Sequence, residues 1–183
     1  SNAPPVPILI KSTISIEGWD LIRTEFVKSN LTFSPEFLRA ETALEDFKNT
    51  KHFMMGGDNV GLWSGVYIKA MGNISISNAS VAELILTKYA RNSFLALKVA
   101  YFNELYDLCD QLEVDFETVR QYTIQDERIG ESHTMVTDDR GFGGHCFPKD
   151  TKAFATLGKH CGTPLTILEQ AIQYNIQIRK DNV

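Results

Sequence analysis

Residues 80–112, SVAELILTKYARNSFLALKVAYFNELYDLCDQL, run without a glycine or a proline. Apolar side chains occur at nearly every helical offset in this segment, so several faces of the helix need to be covered. At about 1.5 Å per residue, the segment predicts a helix of roughly 50 Å, which is longer than a small domain needs. We therefore expect a homodimer, in which a second copy of the chain covers residues 80–112.

Short strands and helices alternate in the sequence before this helix. Four apolar runs are typical of short buried strands: residues 8–10, 32–33, 53–55 and 74–76. Helical spacing occurs at residues 18–28 and again at residues 58–71, where Asp58 is expected to cap the helix. The apolar side of that second helix is predicted to carry three residues: Leu62, Val66 and Ile68. This alternation is typical of a parallel sheet with crossover helices.

Three shorter helical segments follow the long helix: 115–123, 148–159 and 164–180. We predict an α/β fold in two domains, with a partial Rossmann-like parallel sheet in residues 4–78 and an all-α central domain in residues 79–183. The sequence lacks the GxGxxG motif that meets a dinucleotide pyrophosphate between the first strand and helix. We therefore expect the strands of this chain to be the later part of a doubly wound sheet, and the chain to be a fragment of a longer protein.

Charge, hydropathy and cysteine content argue against several classes of function. The chain has 18 Lys and Arg against 23 Asp and Glu, a net charge of -5, so no nucleic-acid partner is expected. No apolar run approaches the roughly 20 residues that cross a bilayer, and no signal peptide is evident, so no membrane partner is expected. Three cysteines without CxxC spacing suggest neither a disulfide framework nor a metal site. The cytoplasm is the expected location.

The densest group of chemically active side chains is RGFGGHCFPKD at residues 140–150. Its three glycines allow turns in which consecutive N–H groups form a nest for an anion. Pro148 suits the first position of a helix, which places Cys146 at or just before a helix N-terminus. The positive end of that helix, with Lys149 nearby, favours the thiolate form, so Cys146 is a candidate nucleophile. The alternative is that Cys146 is a small buried apolar residue.

Lys88, Asn92 and Glu36 are further candidate site residues. Lys88 and Asn92 lie four residues apart in the long helix, so they project from one face and could hold an oxygen that becomes negative. The alternative is a solvated edge, along which Lys88 extends its ammonium into water. Glu36 follows a predicted strand, where α/β sheets carry binding groups, although an ordinary loop glutamate is merely solvated. A dyad of Cys146 with His145 is disfavoured, because adjacent side chains commonly point apart.

Six stretches, taken together, resemble the UDP-glucose/GDP-mannose dehydrogenase family, the NAD-dependent nucleotide-sugar 6-dehydrogenases. They occur in the order of the family: IKST (10–13), SPEFLR (34–39), KYARNSFLA (88–96), NE (103–104), DERIG (126–130) and GFGGHCFPKD (141–150). The resemblance implies two Rossmann-like domains joined by a long, dimer-forming helix. It also implies an oxidoreductase of nucleotide-sugar metabolism and polysaccharide biosynthesis, of which part of the NAD domain and the C-terminal domain lie outside this sequence.

The resemblance further implies a four-electron oxidation that consumes two molecules of NAD. The C6 alcohol of the sugar becomes an aldehyde, which Cys146 captures as a thiohemiacetal. A second oxidation gives a thioester, and water hydrolyses the thioester to the uronic acid. Lys88 and Asn92 would stabilise the negatively charged oxygen, and Asp150 would take part in proton transfer through water.

Other residues take their roles from the same resemblance. Thr13 would hold a catalytic water, and Glu36 would line the cofactor and sugar sites. Three residues would contact NAD: Ser12, Thr13 and Glu36. Six residues would contact the sugar nucleotide: Phe37, Leu38, Gly141, Phe142, Gly143 and Gly144.

One departure from the family pattern bears on hydrolysis of the thioester. The family carries a second glutamate four residues after the one that matches Glu36, whereas this sequence has Ala40 there and Glu41 next to it. Either Glu41 substitutes for that residue or hydrolysis is impaired. UDP-glucose is favoured over GDP-mannose, because GFGGxCFPKD resembles the UDP-glucose type, and the isolated chain is expected to be inactive. A non-catalytic dimerisation module, or a cysteine hydrolase that uses Cys146, are the alternatives.

Overall fold

The computed structural model of the protein describes residues 6–39 and 42–180. The chain divides into two compact units, residues 1–88 and 89–183, and the division between residues 88 and 89 falls within one long helix. The predicted domain boundary at residues 78 and 79 stays a prediction. Within the described ranges, no helix combines the length and the apolar character that crossing a bilayer requires.

The first unit alternates strands and helices, as predicted. Its elements, in chain order, are β1 (Pro7–Ile10), α1 (Ile16–Glu25), β2 (Asn30–Phe33), α2 (Ala43–Asn49), β3 (His52–Gly57), α3 (Val60–Met71) and β4 (Ser75–Asn78). All four predicted strands are present. Helix α2 was not predicted, since it is short and carries few apolar residues.

The sheet of the first unit is mixed, which corrects the prediction of a parallel sheet. Its strand order is β1-β2-β3-β4, and the pairs β1-β2 and β3-β4 are parallel. Strands β2 and β3 are antiparallel, with Phe33 opposite Gly56 and Thr32 opposite Gly57. A parallel pair needs a crossover that carries the chain back along the sheet. The connection between β2 and β3 contains only the short helix α2, about 10 Å long, so no helix that matches the roughly 20 Å of β3 carries the chain back along the sheet there.

The core of the first unit lies between the sheet and α3. Phe53, Met55 and Tyr67 are buried together, and the Phe53 and Tyr67 rings meet edge to face with centroids 4.9 Å apart. Helix α3 therefore packs through Tyr67 and through Trp63, which also contacts this cluster. The predicted apolar side of α3 is wrong, because three of its members are about half exposed: Leu62, Val66 and Ile68.

The predicted cap of α3 is also wrong. Asn59, with a left-handed φ of 52°, is the N-cap residue, and its side chain makes no capping hydrogen bond. Asp58 instead accepts a hydrogen bond from the Leu31 backbone N–H at 3.1 Å and forms an ion pair with Arg23. Asp58 thus ties β2 and α1 together just beyond the end of β3.

The second unit is entirely helical apart from its loops. Helix α4 (Val81–Gln111) spans the division between the units, and α5 (Phe116–Ile124), α6 (Phe147–His160) and α7 (Thr166–Ile178) follow it. These bounds agree with the four helices predicted from the sequence. Ala96, Ala100 and Phe142 form a buried cluster against which α6 and α7 pack through Phe147 and Ile172.

The start of α4 is fixed by a reciprocal pair of hydrogen bonds. The Ser80 N–H donates to the Glu83 carboxylate at 2.8 Å, and the Glu83 N–H donates to the Ser80 hydroxyl at 3.3 Å. This capping box satisfies two backbone donors that a helix end would otherwise leave without partners. Farther along α4, Phe94 and Tyr101 remain largely exposed, with 67% and 59% of their surfaces accessible.

Candidate active site

Cys146 is the N-cap residue of α6, and Pro148 is the second residue of that helix. The Cys146 side chain is exposed, as is that of Cys161 at the other end of α6, whereas Cys109 is buried. The alternative of a buried apolar cysteine is therefore wrong for Cys146. An exposed thiol at a helix N-terminus has both the access and the local positive potential that a nucleophile needs.

Asp150 lies one turn into α6 and is completely buried. Its backbone N–H donates to the Cys146 carbonyl at 2.9 Å, which is the first helical bond of α6. Its carboxylate accepts hydrogen bonds from the Asn92 side-chain amide at 2.6 Å and from the Lys149 ammonium at 2.8 Å. The second unit therefore brings Asn92 of α4, Asp150, and the end of α6 that bears Cys146 into one place.

Lys88 lies one helical turn before Asn92 on α4 and retains only 7% of its surface. The alternative of a solvated edge is therefore wrong for this lysine, because an ammonium that extends into water would be largely exposed. Burial of a lysine is costly unless its charge is compensated, and such lysines are concentrated at functional sites.

The glycine loop, defined as residues 141–144, is held by two side-chain amides. The Gly141 N–H donates to Asn103 Oδ1 at 3.0 Å. The Phe142 N–H donates to Asn175 Oδ1 at 2.6 Å, and Asn175 Nδ2 donates to the Phe142 carbonyl at 2.9 Å. Gly141 and Gly144 have left-handed φ values of 55° and 72°, which glycine adopts without strain. The N–H groups of Gly141 and Phe142 are thus already used within the protein.

An ionic network supports the residue before the glycine loop. Arg140 has a left-handed φ of 59°, and its guanidinium donates to Asp107 of α4 at 2.5 Å. The Tyr174 hydroxyl donates to the other oxygen of the same carboxylate at 2.8 Å. Partial burial, followed by the hydrogen bond to Asp107, raises the pKa of Tyr174 well above its ordinary value. Tyr174 therefore remains a neutral hydrogen-bond donor at all physiological pH values.

The predicted residues of the first unit lie on two loops that follow neighbouring parallel strands. Ser12 and Thr13 follow β1, and the loop with Glu36 follows β2. Lys11 joins the two loops, because its ammonium lies 3.2 Å from the Glu36 carboxylate and 3.2 Å from the Tyr67 hydroxyl. The carboxyl ends of parallel strands are the usual position of ligands in α/β sheets.

The loop after β2 contains an unusual polar group. Ser34 is completely buried, and its hydroxyl has no hydrogen-bond partner among the described residues. Phe37 and Leu38, farther along the same loop, are partly buried. Ala40 and Glu41, which bear on the predicted hydrolysis step, lie outside the described residues.

Comparison with known proteins gives the family of the chain. Residues 80–177 match the central domain of the UDP-glucose/GDP-mannose dehydrogenase family. The chain belongs to this family. The predicted resemblance is confirmed.

Several relatives in this family are similar to nearly the whole chain. The UDP-glucose 6-dehydrogenase of Rickettsia typhi is 33% identical over 96% of this chain and 42% of its own length. The UDP-glucose 6-dehydrogenase of Bacillus subtilis is 29% identical over 92% of this chain and 38% of its own length. The chain therefore spans about two fifths of the length of these relatives.

Solved structures of family members have the same fold. The UDP-glucose dehydrogenase of Pyrobaculum islandicum superposes with a TM-score of 0.80 at 33% identity, over 93% of this chain and 41% of its own. The GDP-mannose dehydrogenase of Pseudomonas aeruginosa superposes with a TM-score of 0.61 at 20% identity, over 97% of this chain and 43% of its own. The predicted Rossmann-type fold with one long helix is confirmed, with the correction that the sheet is mixed.

Sequence reasoning missed three residues that contact predicted site residues within their own units. Lys11 lies in the stretch IKST, and the feature that could have indicated it is a single cation directly after a predicted strand. Asn103 and Asn175 are buried amides on α4 and α7. Their signal was a polar side chain within an apolar helical pattern, since such a group needs hydrogen-bond partners.

Proposed function

We propose that this chain is part of an NAD-dependent nucleotide-sugar 6-dehydrogenase that oxidises UDP-glucose to UDP-glucuronate. The proposal depends mainly on one observation: the completely buried carboxylate of Asp150 accepts a hydrogen bond from Asn92, one turn from the exposed thiol of Cys146. Family membership favours this reaction over a cysteine hydrolase. The relatives named as UDP-glucose 6-dehydrogenases favour UDP-glucose over GDP-mannose.

Cys146 would carry the sugar between the two oxidations. Its sulfur adds to C6 of the aldehyde, and the carbonyl oxygen takes a proton, which gives a thiohemiacetal. Loss of a hydride and a proton converts this adduct to a thioester. Water then adds to the thioester carbonyl and the C–S bond breaks; one proton of the water restores the thiol, and the other is released as the carboxylate leaves.

Charged and polar side chains would stabilise the oxygen at C6 during these steps. The buried Lys88 ammonium and the Asn92 amide would hold the oxygen while it is negative. Asp150 keeps the Asn92 amide in a fixed orientation, because it accepts one of the amide protons at 2.6 Å. It would also receive or return a proton through water. In the first unit, Thr13 would hold a catalytic water and Glu36 would line the cofactor and sugar sites.

The first unit has features that fit a nicotinamide cofactor. Ser12, Thr13 and Glu36 lie beyond the carboxyl ends of neighbouring parallel strands. The Ser34 hydroxyl, which has no partner in the described part of the chain, lies in one of the same loops. We propose that these loops hold the NAD, which when bound supplies the hydride acceptor for both oxidations. Phe37, Leu38 and the glycine loop would hold the sugar nucleotide. The cytoplasm and polysaccharide biosynthesis remain the predicted setting.

Protection of Cys146 by UDP-glucose tests the proposed function. Because Cys146 and Cys161 are both exposed at opposite ends of α6, iodoacetamide should alkylate both in the free chain. We expect UDP-glucose to slow alkylation of Cys146 at least about tenfold and to leave Cys161 unchanged, since only the first thiol lies at the substrate site. Mass spectrometry of the two tryptic peptides measures both rates in one sample. Equal alkylation rates of Cys146 with and without UDP-glucose would contradict the proposal. Stronger protection by GDP-mannose would mean that GDP-mannose is the substrate.

The chain by itself is expected to produce no NADH from UDP-glucose and NAD. The sequence contains no GxGxxG motif, so the backbone N–H groups that normally meet the pyrophosphate are lacking. Absorbance at 340 nm over several hours measures the reaction. A signal above that of the Cys146→Ala variant would show that this chain supports turnover unaided.

A homodimer through α4 is the third expectation of the proposal. Phe94 and Tyr101 lie seven residues apart on one side of α4 and are 67% and 59% exposed, and a run of exposed apolar side chains on one helix face marks an interface. Phe94→Arg should convert the dimer to a monomer in light scattering, because it would place a charge within the apolar contact. Tyr122→Arg on α5, at a position 70% exposed, serves as the matched control and should remain dimeric. A dimer whose Cys146 is not protected by UDP-glucose would favour the non-catalytic dimerisation module.

A further inference from the structure

We propose that Asn103 and Asn175 are positioning residues for the sugar nucleotide, because they hold the glycine loop in its binding conformation. The inference rests on the proposed function, in which residues 141–144 contact that substrate. The two amides come from different helices, α4 and α7, and form hydrogen bonds with adjacent residues of the loop. They act on the substrate only through the backbone of the loop.

Asn103 holds the loop through its oxygen alone. The side chain is almost completely buried, and Oδ1 accepts hydrogen bonds from the Gly141 N–H at 3.0 Å and from Arg140 Nε at 2.9 Å. Its Nδ2 points along α4 and donates to the Val99 carbonyl at 2.9 Å. A carboxylate oxygen could therefore replace Oδ1 without loss of either contact to the loop, since both donors are N–H groups.

Asn175 holds the loop through both ends of its amide. Its oxygen accepts from the Phe142 N–H at 2.6 Å, and its nitrogen donates to the Phe142 carbonyl at 2.9 Å. A carboxylate could not replace this amide, because it has no proton to donate to a carbonyl. The amide is also in close contact with Gly141, where a Cβ atom would lie 2.2 Å from Asn175 Oδ1.

The two amides divide the loop into a fixed part and a free part. The N–H groups of Gly141 and Phe142 donate to Asn103 and Asn175. The N–H groups of Gly143 and Gly144 donate to no other described residue. Gly143 is confined as well, because a Cβ atom there would lie 2.4 Å from Arg179 Nη1. The N–H groups that remain for a sugar nucleotide are thus those nearest Cys146.

Paired substitutions at the two positions test the inference, with UDP-glucose as the probe and protection of Cys146 as the measure of affinity. Asn103→Leu and Asn175→Leu should each weaken binding at least about tenfold, which corresponds to the loss of one or two hydrogen bonds. Asn103→Asp should bind within about threefold of the unaltered chain, since it keeps both acceptor contacts. Asn175→Asp should also weaken binding at least about tenfold, because its carboxylate cannot donate to the Phe142 carbonyl and repels it. The same chemical change is therefore expected to have opposite results at the two positions.

Arg120→Met separates positioning from general loss of stability. Arg120 is buried in the second unit and donates to Thr134 at 3.0 Å and to Glu117 rather than to the loop, so this variant should be destabilised yet bind UDP-glucose normally. Weakened binding in Arg120→Met, equal to that of Asn103→Leu, would overturn the inference. Normal binding in both leucine variants would also overturn it.

Hydrogen exchange of the peptide that contains residues 141–144 keeps the inference separate from the proposed function. If the unaltered chain does not bind UDP-glucose, the proposed function fails. The role of Asn103 and Asn175 in fixing the loop is then judged from the amide exchange rates alone. Asn103→Leu should then raise the exchange rate of the Gly141 amide, and Asn175→Leu that of the Phe142 amide, at least about tenfold, whereas Asn103→Asp should not. Unchanged exchange in the first two variants would overturn the inference even in that case.

Discussion

Gly56→Ala is expected to lower the free energy of unfolding of the first unit by about 3 kcal/mol. A Cβ atom at this position of β3 would lie 2.2 Å from the Ala79 carbonyl oxygen and 3.1 Å from Leu84 Cδ1. Because the nearest obstacle is a backbone atom, relief requires movement of the segment between β4 and α4. Urea unfolding followed by circular dichroism measures the loss.

Gly65→Ala is the matched control for Gly56→Ala. Gly65 lies on the exposed side of α3, and no atom would lie within 4 Å of an added Cβ. Alanine there should raise the free energy of unfolding by about 0.5–1 kcal/mol, because it reduces the backbone conformations open to the unfolded chain and has a higher helix propensity than glycine. If the two variants lose stability equally, the close approach at Gly56 is not what requires glycine.

Asn92→Leu is expected to destabilise the second unit by about 3 kcal/mol. Asp150 is completely buried, and Asn92 is the donor to its Oδ2 at 2.6 Å. Leucine would leave that oxygen buried without a partner, which costs more than the net contribution of an ordinary hydrogen bond. Chemical unfolding of the variant measures the loss.

The double variant Asn92→Leu with Asp150→Leu separates a stranded charge from a simple packing defect. Removal of both polar groups should restore most of the lost stability, since no buried carboxylate would remain. Lys149, the other partner of Asp150, is half exposed and can return to water. If the double variant instead loses as much stability as the sum of the Asn92→Leu and Asp150→Leu losses, the contact between Asn92 and Asp150 contributes nothing.

The helices and strands could be predicted largely because their local patterns are strong. The long helix α4 follows from the absence of glycine and proline, and its predicted ends differ from Val81–Gln111 by only one residue. The direction of β3 could not be predicted, since it depends on the path of the chain through α2. The buried face of α3 was missed, because the helix is apolar on all sides and its pattern selects none.

The candidate site could be predicted where motif and position coincide. Cys146 and Asp150 follow from the segment at residues 140–150, in which proline marks the start of a helix. The contact of Asn92 with Asp150 joins residues that are distant in the sequence and depends on how α4 packs against α6. The amides of Asn103 and Asn175 were missed for the same reason, because their partners are backbone groups that no motif identifies.

Because Cys146 and Cys161 lie at the two ends of α6, spin labels on these cysteines would report the length of the helix. The intervening helix of 14 residues is about 21 Å long, within the range that paired nitroxide labels resolve. Cys109 is buried and would not compete for the labels, so the native sequence can be labelled at two sites without any substitution. Unwinding of the first turn of α6 would appear directly as a longer distance between the labels.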